Sequence, residues 1–131
     1  MGKKILYAED EPGISDAVKM LMEHAGYQVM CCDNGRDILP AIDSFKPDML
    51  VMDLMMPGID GVGVLRQLNT DSEKSKIPVL ICSALPDARP MLDEFRQMRG
   101  FLMKPFKAAE LLAAMKEALS TPVPPPPSDG N

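Results

Sequence analysis

The sequence predicts an α/β domain built on one parallel sheet, and three observations carry that expectation. Short apolar runs alternate with stretches of helical periodicity, five of each, at about 20 to 25 residues per unit. The third run, Met49 to Leu54, is apolar at successive positions, as a strand covered on both faces must be. Each unit is punctuated by Gly, Pro or Asn where the chain has to turn. With 131 residues there is material for one domain and its core, and not for two.

Ile5-Leu6-Tyr7-Ala8 is the first strand, breaking into Glu9-Asp10-Glu11-Pro12-Gly13. Ile14, Ala17, Val18, Leu21, Met22 and Ala25 recur at helical spacing, with Pro12 at the entrance and Gly26 at the exit. Tyr27 to Cys32 makes the second strand, and Asp33-Asn34-Gly35 a turn in which Asn34 can cap a helix. The second helix shows its face through Ile38, Leu39, Ile42 and Phe45. Pro40 would lie beyond the first turn if that helix started at Asn34, so a late start or a kink near Arg36 is expected.

After the third strand, Val62, Val64, Leu65 and Leu68 form a short helix, and Asn69 to Lys76 its exit loop. Ile77 to Cys82 is the fourth strand. Pro86 and Pro90 restrict the next helix, whose face would be Met91, Leu92, Phe95 and Met98. Gly100 to Met103 is the fifth strand, and Leu111, Leu112, Met115 and Leu119 mark the closing helix. The domain is expected over residues 1–120, followed by an extended, solvated Pro-rich tail at 121–131.

A net charge of -5 argues against a nucleic-acid binder, because phosphate-backbone readers present basic faces. No apolar run approaches the roughly 20 residues of a membrane span, so no membrane contact and a cytoplasmic location are expected. Cys31, Cys32 and Cys82 lack metal or redox spacing and read as reduced, buried thiols. His24, the single histidine, reads as a surface residue.

Every strand but the second stops in a group that chemistry can use: Glu9 and Asp10, then Asp53, Ser83 and Lys104. Ligands of open α/β sheets bind beyond the carboxyl ends of the strands, which makes Asp53 the candidate reactive group. If the first and third strands are neighbours, three carboxylates meet. Two of them about 4 Å apart repel by about 4 kcal/mol at an effective dielectric near 20. A hard divalent cation resolves that repulsion, and oxygen ligands on a wet rim point to Mg²⁺ before Zn²⁺. Lys104 and Ser83 add the charge and hydroxyl that hold a phosphoryl group.

At these residues the chain resembles the response regulator receiver domains of two-component signalling. The resemblance rests on Glu9-Asp10, on Asp53 followed by Leu54-Met55-Met56-Pro57-Gly58, on Ser83-Ala84 and on Lys104-Pro105-Phe106, and it runs from about Lys4 to Leu119. It implies a doubly wound, flavodoxin-like (CheY-like) five-stranded sheet of order 2-1-3-4-5. It implies a signalling phosphoacceptor rather than a conventional enzyme, taking a phosphoryl group on Asp53 from a histidine kinase or phosphotransfer protein. Asp10, Asp53 and the Met55 backbone carbonyl would hold Mg²⁺ directly and Glu9 through water. Ser83 and the Ala84 N–H would contact the phosphoryl oxygens, and Lys104 would pair with them across a cis bond to Pro105. Ser83 and Phe101 would then switch a surface for an unidentified downstream protein, the domain acting as a monomer or weak dimer.

Several positions depart from the family's commonest pattern. Glu9 lengthens one acid by a methylene, Phe101 lacks a hydroxyl, and Lys107 stands where a capping residue is common. A haloacid-dehalogenase-type phosphatase would want an aspartate where Met55 stands. A flavodoxin-like nucleotide binder would want a phosphate loop in place of Glu9-Asp10-Glu11. A degenerate receiver that only binds partners is the remaining alternative.

Overall fold

The computed structural model describes residues 2–54, 61–84, 97–120 and 123. Five parallel strands, β1 (Lys4–Ala8), β2 (Gln28–Cys32), β3 (Met49–Asp53), β4 (Val79–Ser83) and β5 (Met98–Met103), form one sheet in the order β2-β1-β3-β4-β5. Helices α1 (Pro12–His24), α2 (Ile38–Phe45), α3 (Gly61–Asn69) and α4 (Ala108–Ser120) cover it.

Side chains alternate along each strand, and the apolar residues divide accordingly into two cores. On one face Leu6, Ala8, Leu50, Met52, Val79 and Ile81 pack under Ile38 and Ile42 of α2 and Val64, Leu65 and Leu68 of α3. On the other Ile5, Tyr7, Met49, Val51, Leu80 and Cys82 meet Met22 of α1 and Leu111, Met115 and Ala118 of α4. This is the two-faced burial that made Met49 to Met52 apolar at every position. The sheet is doubly wound, as expected.

Local chemistry explains the helix ends. Pro12 opens α1, where a missing N–H costs no bond. At its exit Gly26 takes φ 103°; its N–H donates to the Glu23 carbonyl at 3.0 Å, and that of Tyr27 to the Met22 carbonyl at 3.1 Å. These paired bonds satisfy carbonyls left over at the helix end. The second helix does start late. Asn34 Oδ1 accepts from the Asp37 N–H at 3.0 Å, a 3₁₀ turn spans Gly35–Asp37, and α2 begins only at Ile38. Pro40 therefore falls in the first turn, where its N–H is not needed. At α4 the Lys107 N–H donates to Glu110 Oε1 at 2.7 Å, so the cap missing from the Lys107 side chain is supplied by Glu110 reaching back.

Several boundaries differ from the expected ones. Tyr27 precedes β2, Leu54 follows β3, and Ile77 and Pro78 precede β4, which continues through Ser83. Met98, expected on a helix, begins β5. Val79 pairs with Met98 but Leu80 pairs with Gly100, so Arg99 is an extra, bulged residue on this edge strand. A bulge breaks the period-2 pattern, which hid the start of the strand. Gln97 anchors it, donating through Nε2 to the Lys74 and Ile77 carbonyls at 2.9 Å each. The apolar face of α1 is also narrower than its periodicity suggests, since Met22 is buried while Ile14, Ala17 and Ala25 are exposed. The helix expected between the fourth and fifth strands, the tail apart from Val123, and the segment containing Met55 lie outside the described residues.

Candidate functional site

The strand register brings the reactive groups into one row. β1 pairs with β3 through Ala8 and Met52, so one step further sets Glu9 beside Asp53; Asp53 pairs with Cys82, and Cys82 with Leu102, two residues before Lys104. Glu9, Asp53 and Lys104 thus share the parity of Tyr7, Val51 and Leu102, and emerge on the face covered by α1 and α4.

The side chains close on one another. Lys104 Nζ donates to Asp53 Oδ2 at 2.5 Å and to Glu9 Oε1 at 2.9 Å. Glu9 is 2% exposed and Asp53 7%, so both carboxylates are held where an uncompensated charge is costly. Burial by itself would lower the Lys104 ammonium, but the hydrogen bonds it donates to Asp53 and then to Glu9 outweigh that and raise the pKa to about 12. Asp10 is exposed, and one oxygen each from Glu9, Asp10 and Asp53 lie within 4.8 Å of one another.

The remaining predicted residues fall into place unequally. Ser83 is fully buried at the end of β4, and its carbonyl accepts the Lys104 N–H at 2.8 Å, tying the lysine's backbone to the fourth strand. Ala84 follows it at the surface. The Lys104–Pro105 peptide bond is cis, as the resemblance implied. Phe101 is half-buried, pairs with Ile81 and packs against the α2–α3 core, on the opposite face from Lys104. Met55 and its carbonyl lie outside the described residues.

Tyr7 is a site neighbour that the motif reading did not single out. It is 1% exposed, and its hydroxyl donates to Glu9 Oε1 at 3.4 Å. Burial, then the Glu9 charge, push its phenol well above the ordinary tyrosine range. The signal was present in the sequence: a tyrosine two residues before a strand-end acid must share its face. Cys82 lies in the same row and is pushed up to about 12, burial acting first, with Asp53 and Glu9 opposing the pull of Lys104, so the thiol is neutral.

Two hollows flank the row. One of about 440 Å³ lies over the ends of β1 and β2 and is lined by Glu9, Asp10, Asp16, Asp33 and Asp37. The second, about 550 Å³, is apolar and runs from Ile14, Ala17 and Val18 of α1 to Ala84, Pro105 and Phe106, with Lys104 at its wall. The first hollow is rich in carboxylates and the second is mostly apolar.

Fold and site together define a doubly wound α/β signalling module with its charged groups at the carboxyl ends of the strands. The chain belongs to the response regulator receiver domain family, whose model matches residues 5–116. It is 34% identical over 117 residues to the DNA-binding dual master transcriptional regulator RpaA of Synechocystis, covering 88% of this chain and 48% of that protein, so it spans about half of that relative's length. Protein PilH of Pseudomonas aeruginosa is 33% identical over 118 residues, covering 89% of this chain and 98% of PilH. Among solved structures, the signal receiver domain of a signal transduction histidine kinase from Syntrophus aciditrophicus superposes with a TM-score of 0.80 at 30% identity, covering 91% of each chain.

Proposed function

We propose that this chain is a phosphoacceptor: Asp53 takes a phosphoryl group from a phosphohistidine on a histidine kinase or phosphotransfer protein. The observation that carries the reading is the bridge from Lys104 Nζ to both Asp53 and Glu9, with the Asp10 carboxylate within reach of the same point. An Asp53 carboxylate oxygen would attack phosphorus in line; the P–N bond breaks as the P–O bond forms, and the imidazole leaves with a proton. Lys104 would pair with the equatorial oxygens as their charge gathers, and burial of Asp53 would limit the water that could compete. Ser83 and the Ala84 N–H would supply further donors in this reading, and Ser83 with Phe101 would carry the change to a downstream partner.

The donor set fits a hard divalent cation. Glu9, Asp10 and Asp53 offer only oxygen, the neighbouring hollow is acidic, and Asp10 is open to water, which suits an ion that keeps part of its hydration shell. Asp10 and Asp53, with the Met55 carbonyl, would hold Mg²⁺, and Glu9 would act through water. When bound, the ion supplies positive charge against the transferred phosphoryl oxygens. The apolar hollow beside Lys104 suits a partner that presents its phosphohistidine at the rim. We place the chain in the cytoplasm, supported by three free thiols; no helix among the described residues is long and apolar enough to cross a membrane. Residues 1–120 would form the receiver domain, since α4 ends at Ser120 and the prolines that follow cannot continue it.

Incubation with acetyl phosphate and Mg²⁺, followed by intact mass, tests the reading. The wild-type chain should gain one phosphoryl group, and Asp53→Asn should gain none. An unmodified wild-type chain would leave the degenerate, binding-only alternative in its place.

A further inference from the structure

We infer that Tyr7 is a positioning residue for this site: its buried hydroxyl is a second anchor for the Glu9 carboxylate, one that stays in place when Lys104 turns to a phosphoryl group. The inference rests on the phosphoacceptor reading above.

Glu9 is almost wholly buried and has three donors: Lys104 Nζ to Oε1 at 2.9 Å, Tyr7 Oη to Oε1 at 3.4 Å, and the Glu11 N–H to Oε2 at 3.4 Å. The shortest is shared, because the same ammonium also holds Asp53. Any group added to Asp53 competes for Lys104, and Glu9 then depends on the two longer bonds. The Glu11 bond follows the loop backbone. The Tyr7 bond comes from a ring fixed at the middle of the sheet between β2 and β3, where Tyr7 pairs with Cys31 on one side and Val51 on the other. It therefore aims Glu9, which would reach the ion through water, from the rigid part of the molecule, as an outer-shell hydrogen bond orients a group at a metal site.

The hydroxyl is the informative atom. Tyr7 sits among Val51, Leu80, Met22 and Leu111, where an aromatic ring needs no polar end. A phenol there must find a partner for its proton, and it finds Glu9. A Tyr kept for packing alone would be replaced by Phe without effect on the site.

The test is Tyr7→Phe, which keeps the ring. Mg²⁺ affinity measured by calorimetry should weaken by about three- to tenfold, the low end for a partner lying behind a ligand because the bond is long. Phosphorylation by acetyl phosphate should slow at limiting Mg²⁺ and recover when Mg²⁺ is raised. In a Glu9→Gln background the same change should alter affinity by less than about twofold, since the residue through which Tyr7 acts has lost its charge. Thermal melting without divalent ions checks that each variant folds. As a measurement that leaves Tyr7 itself intact, Mg²⁺ added to Tyr27→Phe, where Tyr7 is the remaining tyrosine, should shift its near-ultraviolet absorbance, and should not do so once Glu9→Gln is added.

Unchanged Mg²⁺ affinity in Tyr7→Phe, an equal loss with and without Glu9, or an absorbance that ignores Mg²⁺ would each overturn the inference while the wild-type chain still binds Mg²⁺ and gains a phosphoryl group. A wild-type chain that does neither overturns the site reading, and this inference with it.

Discussion

Replacing Lys104 by Met keeps most of the side chain's length and removes its charge, leaving Glu9 and Asp53 facing each other with their common partner gone. Their oxygens lie within 4.8 Å, and two unit charges at that distance repel by about 3.5 kcal/mol at an effective dielectric near 20. The variant should therefore lose about 3 kcal/mol at pH 7 without divalent ions. At high pH the wild-type chain shows the complementary loss. The Lys104 pKa is raised from 10.5 to about 12, so its pairing stabilises the fold fully below about pH 10.5 and is lost as pH rises through about 12, a phase absent in the variant. Urea unfolding from pH 7 to pH 12 measures both losses, and millimolar Mg²⁺ should restore much of the neutral-pH loss by taking the ammonium's place. A Lys104→Met chain as stable as wild type at pH 7 would refute the electrostatic account of the site.

Two further outcomes follow from packing. A Cβ added at Gly61 would meet Leu54 Cδ1 at 2.6 Å and Leu54 Cα at 3.1 Å; Gly61→Ala should cost about 1–3 kcal/mol by pushing α3 off the residue after Asp53, and a urea midpoint equal to wild type would rule that out. Cys82, with its thiol at about 12, should resist iodoacetamide at pH 8 in the folded chain and react once unfolded; peptide mapping that finds it alkylated as fast as in the unfolded chain would show the strand end to be open.

What the residues announced by themselves was periodic or chemical. Alternating apolar runs, Pro12 and Gly26 around α1, and Asn34 ahead of a delayed α2 were legible because local sterics and local hydrogen bonds produce them. The likeness of Glu9, Asp10, Asp53, Ser83 and Lys104 to a known motif supplied the sheet order, which no local pattern encodes. The bulge at Arg99 was not legible, since an extra residue scrambles the period-2 signal that would have revealed Met98 as strand. The exposure of Ile14, Ala17 and Ala25 was missed because periodicity reports which residues share a face and not how far a neighbour covers it.

The order of apolar, polar and turn residues determined that this chain folds as alternating strands and helices with acids, a hydroxyl and a lysine at the strand ends. Only the tertiary structure decided that Glu9, Asp53 and Lys104 share one row and that Tyr7 stands beneath Glu9, because register between strands distant in sequence sets which side chains meet. Periodicity is a property of the backbone's own geometry, whereas a bridge between residues 51 positions apart, as Asp53 and Lys104 are, exists only once the sheet has closed.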